Sequence, residues 1–228
     1  MGRTIGPDPG ESMSENQSPP VFIWRRPQTF LAVAVAAATT PGAFFAQMPR
    51  QGGLLPPLAF FLMAMLPPTL VNSLLKWSQG PVAMLIFFFT TLLKSLLIAL
   101  AFAFVLYGVC RLVFKSDLDF SDVARIVCYS SGVRILELLP PLLAPHLLSP
   151  QTVFLLVIIV FLLVCYLVWV GLQAAGGMSR YPALWALLLS FVAILSVWFW
   201  VNHLSGTSPL PTPPPGSGAP QTPSPSQP

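Results

Sequence analysis

QTVFLLVIIVFLLVCYLVWVGLQAA, residues 151–175, contains no Asp, Glu, Lys or Arg. Crossing the hydrocarbon layer of a bilayer takes about 20 apolar residues in a helix, and this stretch is longer than that. In lipid the backbone has no water to bond, so it must satisfy itself as a helix. Residues 51–75 and 181–202 are equally free of charged side chains. Of the 228 residues, 55% are apolar and only 8% charged, whereas a soluble domain carries about 25% charged residues. A water-exposed globule cannot be built from this composition. The expected fold class is all-α: a polytopic membrane helix bundle of five transmembrane helices, preceded by an interfacial amphipathic helix.

The five spans fall at about 54–75, 82–113, 122–139, 151–174 and 182–203. The first carries Pro56-Pro57 near its start and Pro67-Pro68 inside, so it should be kinked or broken. The second is too long for one perpendicular crossing and must tilt or project into the cytoplasm. The third begins near Asp122, with Asp122 or Ser121 expected to cap it, and reaches Leu139 before Pro140-Pro141. The fourth ends at Gly176-Gly177, which reads as a left-handed C-terminal cap. The fifth places Trp198 and Trp200 toward the far interface.

Residues 27–48 have a different character. At 100° per residue, Gln28, Thr29, Thr39, Thr40 and Gln47 share one arc with Ala32, Ala36, Ala43 and Ala46. Phe30, Leu31, Val33, Val35, Phe44, Phe45 and Met48 lie outside it. Pro41-Gly42 interrupts the pattern, so we expect an interfacial helix in two pieces, following Arg25-Arg26. A spanning helix packed through its small residues is the alternative, and a signal peptide is a third reading of the same stretch.

Basic residues orient the bundle. Among the 11 Lys and Arg residues, Arg3, Arg25, Arg26, Arg50, Arg111, Lys115, Arg125 and Arg180 share one side when five spans are drawn. The opposite side holds Lys76 alone, and Lys94 and Arg134 fall inside spans. Six spans would erase this bias. The positive-inside rule therefore selects five, with the N-terminus cytoplasmic and the C-terminus outside. Residues 1–23 are expected to be a disordered cytoplasmic segment. Residues 205–228 form a charge-free tail with nine prolines, read as disordered and partly polyproline II. Its Pro211–Pro214 P-x-x-P lacks the flanking basic residue of a docking ligand.

Chemistry-bearing motifs are sparse. Cys110, Cys128 and Cys165 make an odd count without C-x-x-C spacing, indicating buried free thiols and neither disulfides nor zinc. Asp117, Asp119 and Asp122 alternate after the second span without the glycine of a calcium loop. His146 and His203 lack a third donor for a metal. No H-E-x-x-H, G-x-S-x-G or Walker A run occurs, and Cys165 with His203, the conceivable hydrolase pair, has no supporting spacing. No cofactor, metal or nucleic-acid partner is expected. Lys94, Arg134 and Glu137 are the intramembrane ionisable residues, a type that faces a bundle interior or cavity. Arg134 and Glu137 are three apart on one helix face. Depth counted along the helices also allows Lys94 to join them in a cluster pinning spans two and three; the alternative is that Lys94 snorkels outward and the Arg–Glu pair is local.

One stretch has a familiar pattern: FSDVARIVCYS from Phe120 through Tyr129 to Ser130, then Pro140-Pro141. After it come Tyr166 through Gly171-Leu172, Gly177-Met178-Ser179 and Ala183-Leu184. With the R-R-P-x-x-F start at Arg25, residues 24–204 resemble the Yip family, the Ypt/Rab-GTPase-interacting membrane proteins, in its bacterial branch. Phe120, Tyr129, Gly171, Gly177 and Ser179 carry the motif. Members often have a His before the Gly-Met-Ser element, where this chain has Gly176. The resemblance implies five spans, a cytoplasmic N-terminus and, in eukaryotic members, membrane organisation and binding of prenylated small GTPases. The expectation is a non-enzymatic scaffold or membrane-organising factor of a bacterial inner membrane. It would act through helix packing and the 111–125 loop on another protein or a second copy. The alternative is a small transporter or channel component using Lys94, Arg134 and Glu137.

Overall fold

The computed structural model describes residues 22–23, 26, 28–48, 53–143 and 149–204, with the side chains of 150, 198 and 201–204 excepted. The terminal stretches for which disorder is expected fall outside these residues, as does His146; the side chains of Trp198 and His203 are among those excepted. Among the described residues every regular element is helical: α1 (Thr29–Thr39), α2 (Pro41–Ala46), α3 (Leu55–Leu74), α4 (Pro81–Leu112), α5 (Phe120–Ser130), α6 (Leu139–Leu143), α7 (Pro150–Gly176) and α8 (Arg180–Leu204). Two 3₁₀ segments, Trp77–Gln79 and Ser131–Leu138, complete the order. Five helical stretches are long and apolar enough to cross a membrane, the third being Phe120–Leu143 taken through its 3₁₀ middle. The chain divides into two compact units, Met1–Ser190 and Phe191–Pro228; the second contributes 191–204, the remainder of α8.

The expected interfacial element is two short helices broken at Thr40-Pro41. Pro41 takes the first position of α2, where its missing N–H costs nothing. Eleven residues at 1.5 Å per residue give α1 about 16 Å, far short of a crossing. Phe30, Val33, Ala34 and Ala37 of α1 and Phe44 and Phe45 of α2 are buried, while Leu31 and Val35 point outward. The apolar arc is thus divided: Phe30, Val33, Phe44, Phe45 and Met48 enter the protein, while Leu31 and Val35 do not.

Of the kink or break expected in the first span, the break is absent: helix α3 runs continuously through Pro67 and Pro68, although the two prolines deprive the Met63 and Ala64 carbonyls of helical donors. At 32 residues, α4 is about 48 Å long. Helix α7 starts on a Ser149 cap whose hydroxyl accepts from the Thr152 N–H, with Pro150 at its first position. It stops at Gly177, where φ is 60°, the left-handed cap expected there and one a glycine adopts without steric cost. Helix α8 buries Ala183, Ala186, Leu187 and Ser190, a helical stripe.

The third span is the axis of the first unit. Helix α5 packs on α1, α3, α4 and α7, and the 3₁₀ segment behind it on α1, α3 and α7. Every residue from Asp122 to Val133 is buried. The helix changes type at Ser130-Ser131-Gly132, three residues that hold an α-helix weakly. Ser131 donates its hydroxyl to the Val127 carbonyl at 2.9 Å, a back-bond that bends helices. Gly132 lets the Phe60 ring approach to where a Cβ would come within 2.8 Å of it.

Candidate functional site

The ionisable side chains paired within the bundle lie on this third span. Asp122 and Arg125 face each other in its first turns, with Arg125 Nη1 3.5 Å from Asp122 Oδ1 and only 4% and 12% of the Arg125 and Asp122 side chains exposed. Neither capping expectation holds. Asp119 occupies the N-cap without a side-chain cap hydrogen bond. Asp122 lies inside the helix, its carboxylate turned to Arg125, because a buried guanidinium demands a counter-charge more than a helix end demands a cap. Arg125, expected from the basic bias on the loop side of the membrane, is instead buried. The D-x-x-R spacing at the mouth of an apolar helix was the signal for this pair.

Arg134 and Glu137 lie in the 3₁₀ segment. With about 3.0 residues per turn, positions i and i+3 stand directly above one another. Arg134 Nε and Nη2 accordingly donate to Glu137 Oε1 at 2.7 Å and Oε2 at 3.3 Å. The forked geometry is the strong form of this interaction. Counting about 1.5 Å per α residue and 2.0 Å per 3₁₀ residue, Glu137 is about 21 Å from Arg125 along the span. The third member of the expected cluster is elsewhere: Lys94 is exposed on α4 and belongs to none of the ion pairs among the described residues. Pairing is local to span three, and no charge bridge joins it to span two.

Of the remaining motif residues, Tyr129, Phe120 and Gly171 pack helices against one another. Tyr129 lies 5.0 Å from Phe60 and 5.6 Å from Phe44 between ring centroids, and Phe60 also meets Phe22 and Phe30. This aromatic cluster ties the α1–α2 element and the first span to the third. Phe120 sets its ring beside Phe104 and Tyr107 of α4. Gly171 receives Ile126, whose Cγ2 would lie 2.5 Å from a Cβ. Ser179 is exposed, and its carbonyl accepts the Ala183 N–H at 3.2 Å, opening α8.

At the basic end, the link between the second and third spans is itself folded. Arg111 donates to the Ser116 carbonyl at 3.2 Å and lies 3.8 Å from Asp117, and Lys115 adopts φ 52°. Leu118 is buried, its Cδ1 2.7 Å from where a Cβ at Gly176 would stand. That contact gives the glycine at 176 a physical reason: an imidazole there would occupy the seat of Leu118. On the same side, Trp169 Nε1 donates to the Arg180 carbonyl at 3.1 Å, closing the turn between α7 and α8.

No group of three or more His, Cys, Asp or Glu side chains converges on a metal-sized site among the described residues. The hydroxyls of Ser73, Ser131 and Ser190 bond backbone carbonyls four residues back on their own helices, while the Ser130 hydroxyl is buried without a partner. The arrangement can hold helices in register and present a folded loop.

No curated protein matches the chain. No solved structure matches it either. A family model described as the Yip1 domain matches residues 35–201, from inside α1 through the last span. That is well over half of the chain, and the match names the family without a branch. With five apolar helices of spanning length, the protein is an integral, multi-pass membrane protein, and it belongs to the Yip1 domain family.

Proposed function

We propose that the protein is a non-enzymatic scaffold or membrane-organising factor, working through helix packing and the loop between its second and third spans. The observation that carries this reading is how the polar groups of span three are used. Asp122 is turned to Arg125, and Glu137 takes both donors of the Arg134 fork. Lys94 stands apart from them. Such an axis supports a rigid frame rather than a relay, because a transport path needs ionisable groups that face a shared water-filled route. The folded 113–119 loop, braced by Arg111 and anchored by Leu118, is the surface offered to a cytoplasmic partner. In this reading the membrane is a bacterial inner membrane, and the basic bias supports a cytoplasmic loop and N-terminus with the C-terminus outside.

The test pairs two measurements. A photo-crosslinking side chain at Asp117 should capture one protein reproducibly in cells, with capture reduced by Gly176→His, which unseats Leu118. The purified chain in liposomes should show no ion flux above empty vesicles. Flux abolished by Glu137→Gln, with no capture from Asp117, would establish transport instead.

A further inference from the structure

The second span is enclosed least. Helix α4 buries only Ala103, Leu106 and Cys110, all in its last third. Its earlier turns present Leu85, Ile86, Phe89, Leu93 and Leu97 outward. Lys94 stands among them, on an open groove with Thr90, Ile98 and Ala101. From Lys94 it is about 20 Å along the axis to Pro81 and about 27 Å to Leu112. With α4 centred on a hydrocarbon layer about 30 Å thick, Lys94 lies about 11 Å from the nearer surface. A four-carbon stem cannot carry the ammonium to either surface from there. Ionisable groups at such depth pair with a counter-charge or line a cavity.

Among the described residues no ion pair brings a carboxylate to Lys94. Glu137 is held by both donors of Arg134, and Asp122 is turned to Arg125. Asp117 and Asp119 belong to the loop, and Asp8, Glu11 and Glu15 precede the first span. No Asp or Glu follows Glu137, so α7, α8 and the tail offer none. Thr90 gives its hydroxyl to the Ile86 carbonyl of its own helix at 2.6 Å. A second copy would bring the same cation surplus, and a twofold contact through α4 would oppose Lys94 to Lys94.

We infer that the Lys94 face of α4 docks a transmembrane helix of a different membrane protein, one carrying an Asp or Glu at mid-membrane depth. This rests on the scaffold reading and names its partner by chemistry. Apolar side chains around Lys94 supply the packing surface, and the ion pair sets depth and register. Exclusion of water would make the pair selective for a carboxylate over its amide.

The probe is a synthetic Leu/Ala transmembrane peptide of spanning length with one central Glu, compared with peptides bearing Gln or Leu there. Energy transfer between peptide and labelled full-length chain is read in phosphatidylcholine liposomes. The Glu peptide should associate about tenfold more tightly than the Gln peptide. Lys94→Leu should remove the preference, and Lys94→Glu should transfer it to a peptide with central Lys. Equal association of all three peptides with the native chain overturns the inference, as does a Glu preference that survives Lys94→Leu. Lys94-dependent energy transfer between two copies of the chain, in the absence of peptide, would identify a second copy as the occupant and overturn it too. Capture from Asp117 does not involve Lys94, so loop docking and α4 docking can fail separately.

Discussion

Gly171 of the fourth span lies against Ile126 of the third so closely that a Cβ added to it would come within 2.5 Å of Ile126 Cγ2. Ile126 is fully buried, and its β-branched side chain has little rotamer freedom in a helix. The backbones of the two central helices therefore approach because one of them has no side chain at that level, the small-residue packing typical of membrane helices. Gly171→Ala should destabilise the protein by about 1–3 kcal/mol. Gly108→Ala, at a helical site with open space around the added methyl, should be neutral or stabilising by up to about 1 kcal/mol. Thermal unfolding in detergent, followed by circular dichroism, ranks the two; equal effects would show that α5 and α7 do not meet as described.

Gly176 provides a graded comparison. Its close neighbour is the Cδ1 end of Leu118, a longer side chain able to swing aside. Gly176→Ala should therefore cost less than Gly171→Ala. Gly176→His should free the 113–119 loop, which limited proteolysis would register as faster cleavage after Lys115. An unchanged cleavage rate would mean that Leu118 is not the loop's anchor.

Arg134 and Glu137 form a pair whose halves depend on each other. Glu137→Gln leaves the Arg134 guanidinium without its counter-charge, at a cost of about 1–3 kcal/mol. The double variant Arg134→Met, Glu137→Leu removes the pair as a unit and should be milder than the single change. A double-mutant cycle on thermal stability reads the coupling. Additive effects would contradict the forked geometry.

Lys115 holds φ at 52°, a conformation that strains a residue with a Cβ by about 1–2 kcal/mol. Lys115→Gly should raise thermal stability by about 0.5–1 kcal/mol after the entropy of the freer backbone is subtracted. Lys115→Val should lower it, since a β-branched side chain fits that region worst.

Much of the frame was legible because lipid leaves few alternatives. Charge-free runs of 20 residues or more permit little except spanning helices, and Gly177 and Pro41 mark a helix end and a helix break through backbone chemistry that does not depend on neighbours. The interior of span three was less legible. Its change from α to 3₁₀ at Ser131 rests on a Ser-Ser-Gly run that local pattern alone does not separate from an ordinary weak turn of α-helix, and the close approach of Phe60 to Gly132 is a tertiary fact absent from that pattern. A basic residue at a span's mouth ordinarily faces water, which hid the Asp122–Arg125 pair; here both side chains are buried in a helix that packs on α1, α3, α4 and α7. Depth arithmetic also admitted Lys94 to a cluster with Arg134 and Glu137, because counting residues along a helix gives height and not the face on which a side chain emerges.

The central claim is an odd number of crossings, and labelling of the two termini tests it most directly. In a chain with Cys110, Cys128 and Cys165 changed to Ala, single cysteines at Asp8 and Gln227 are treated with a membrane-impermeant maleimide on intact, uniformly oriented vesicles. Five spans predict that one position reacts from outside and the other only after the membrane is opened. Reaction of both from the same face would contradict the arrangement.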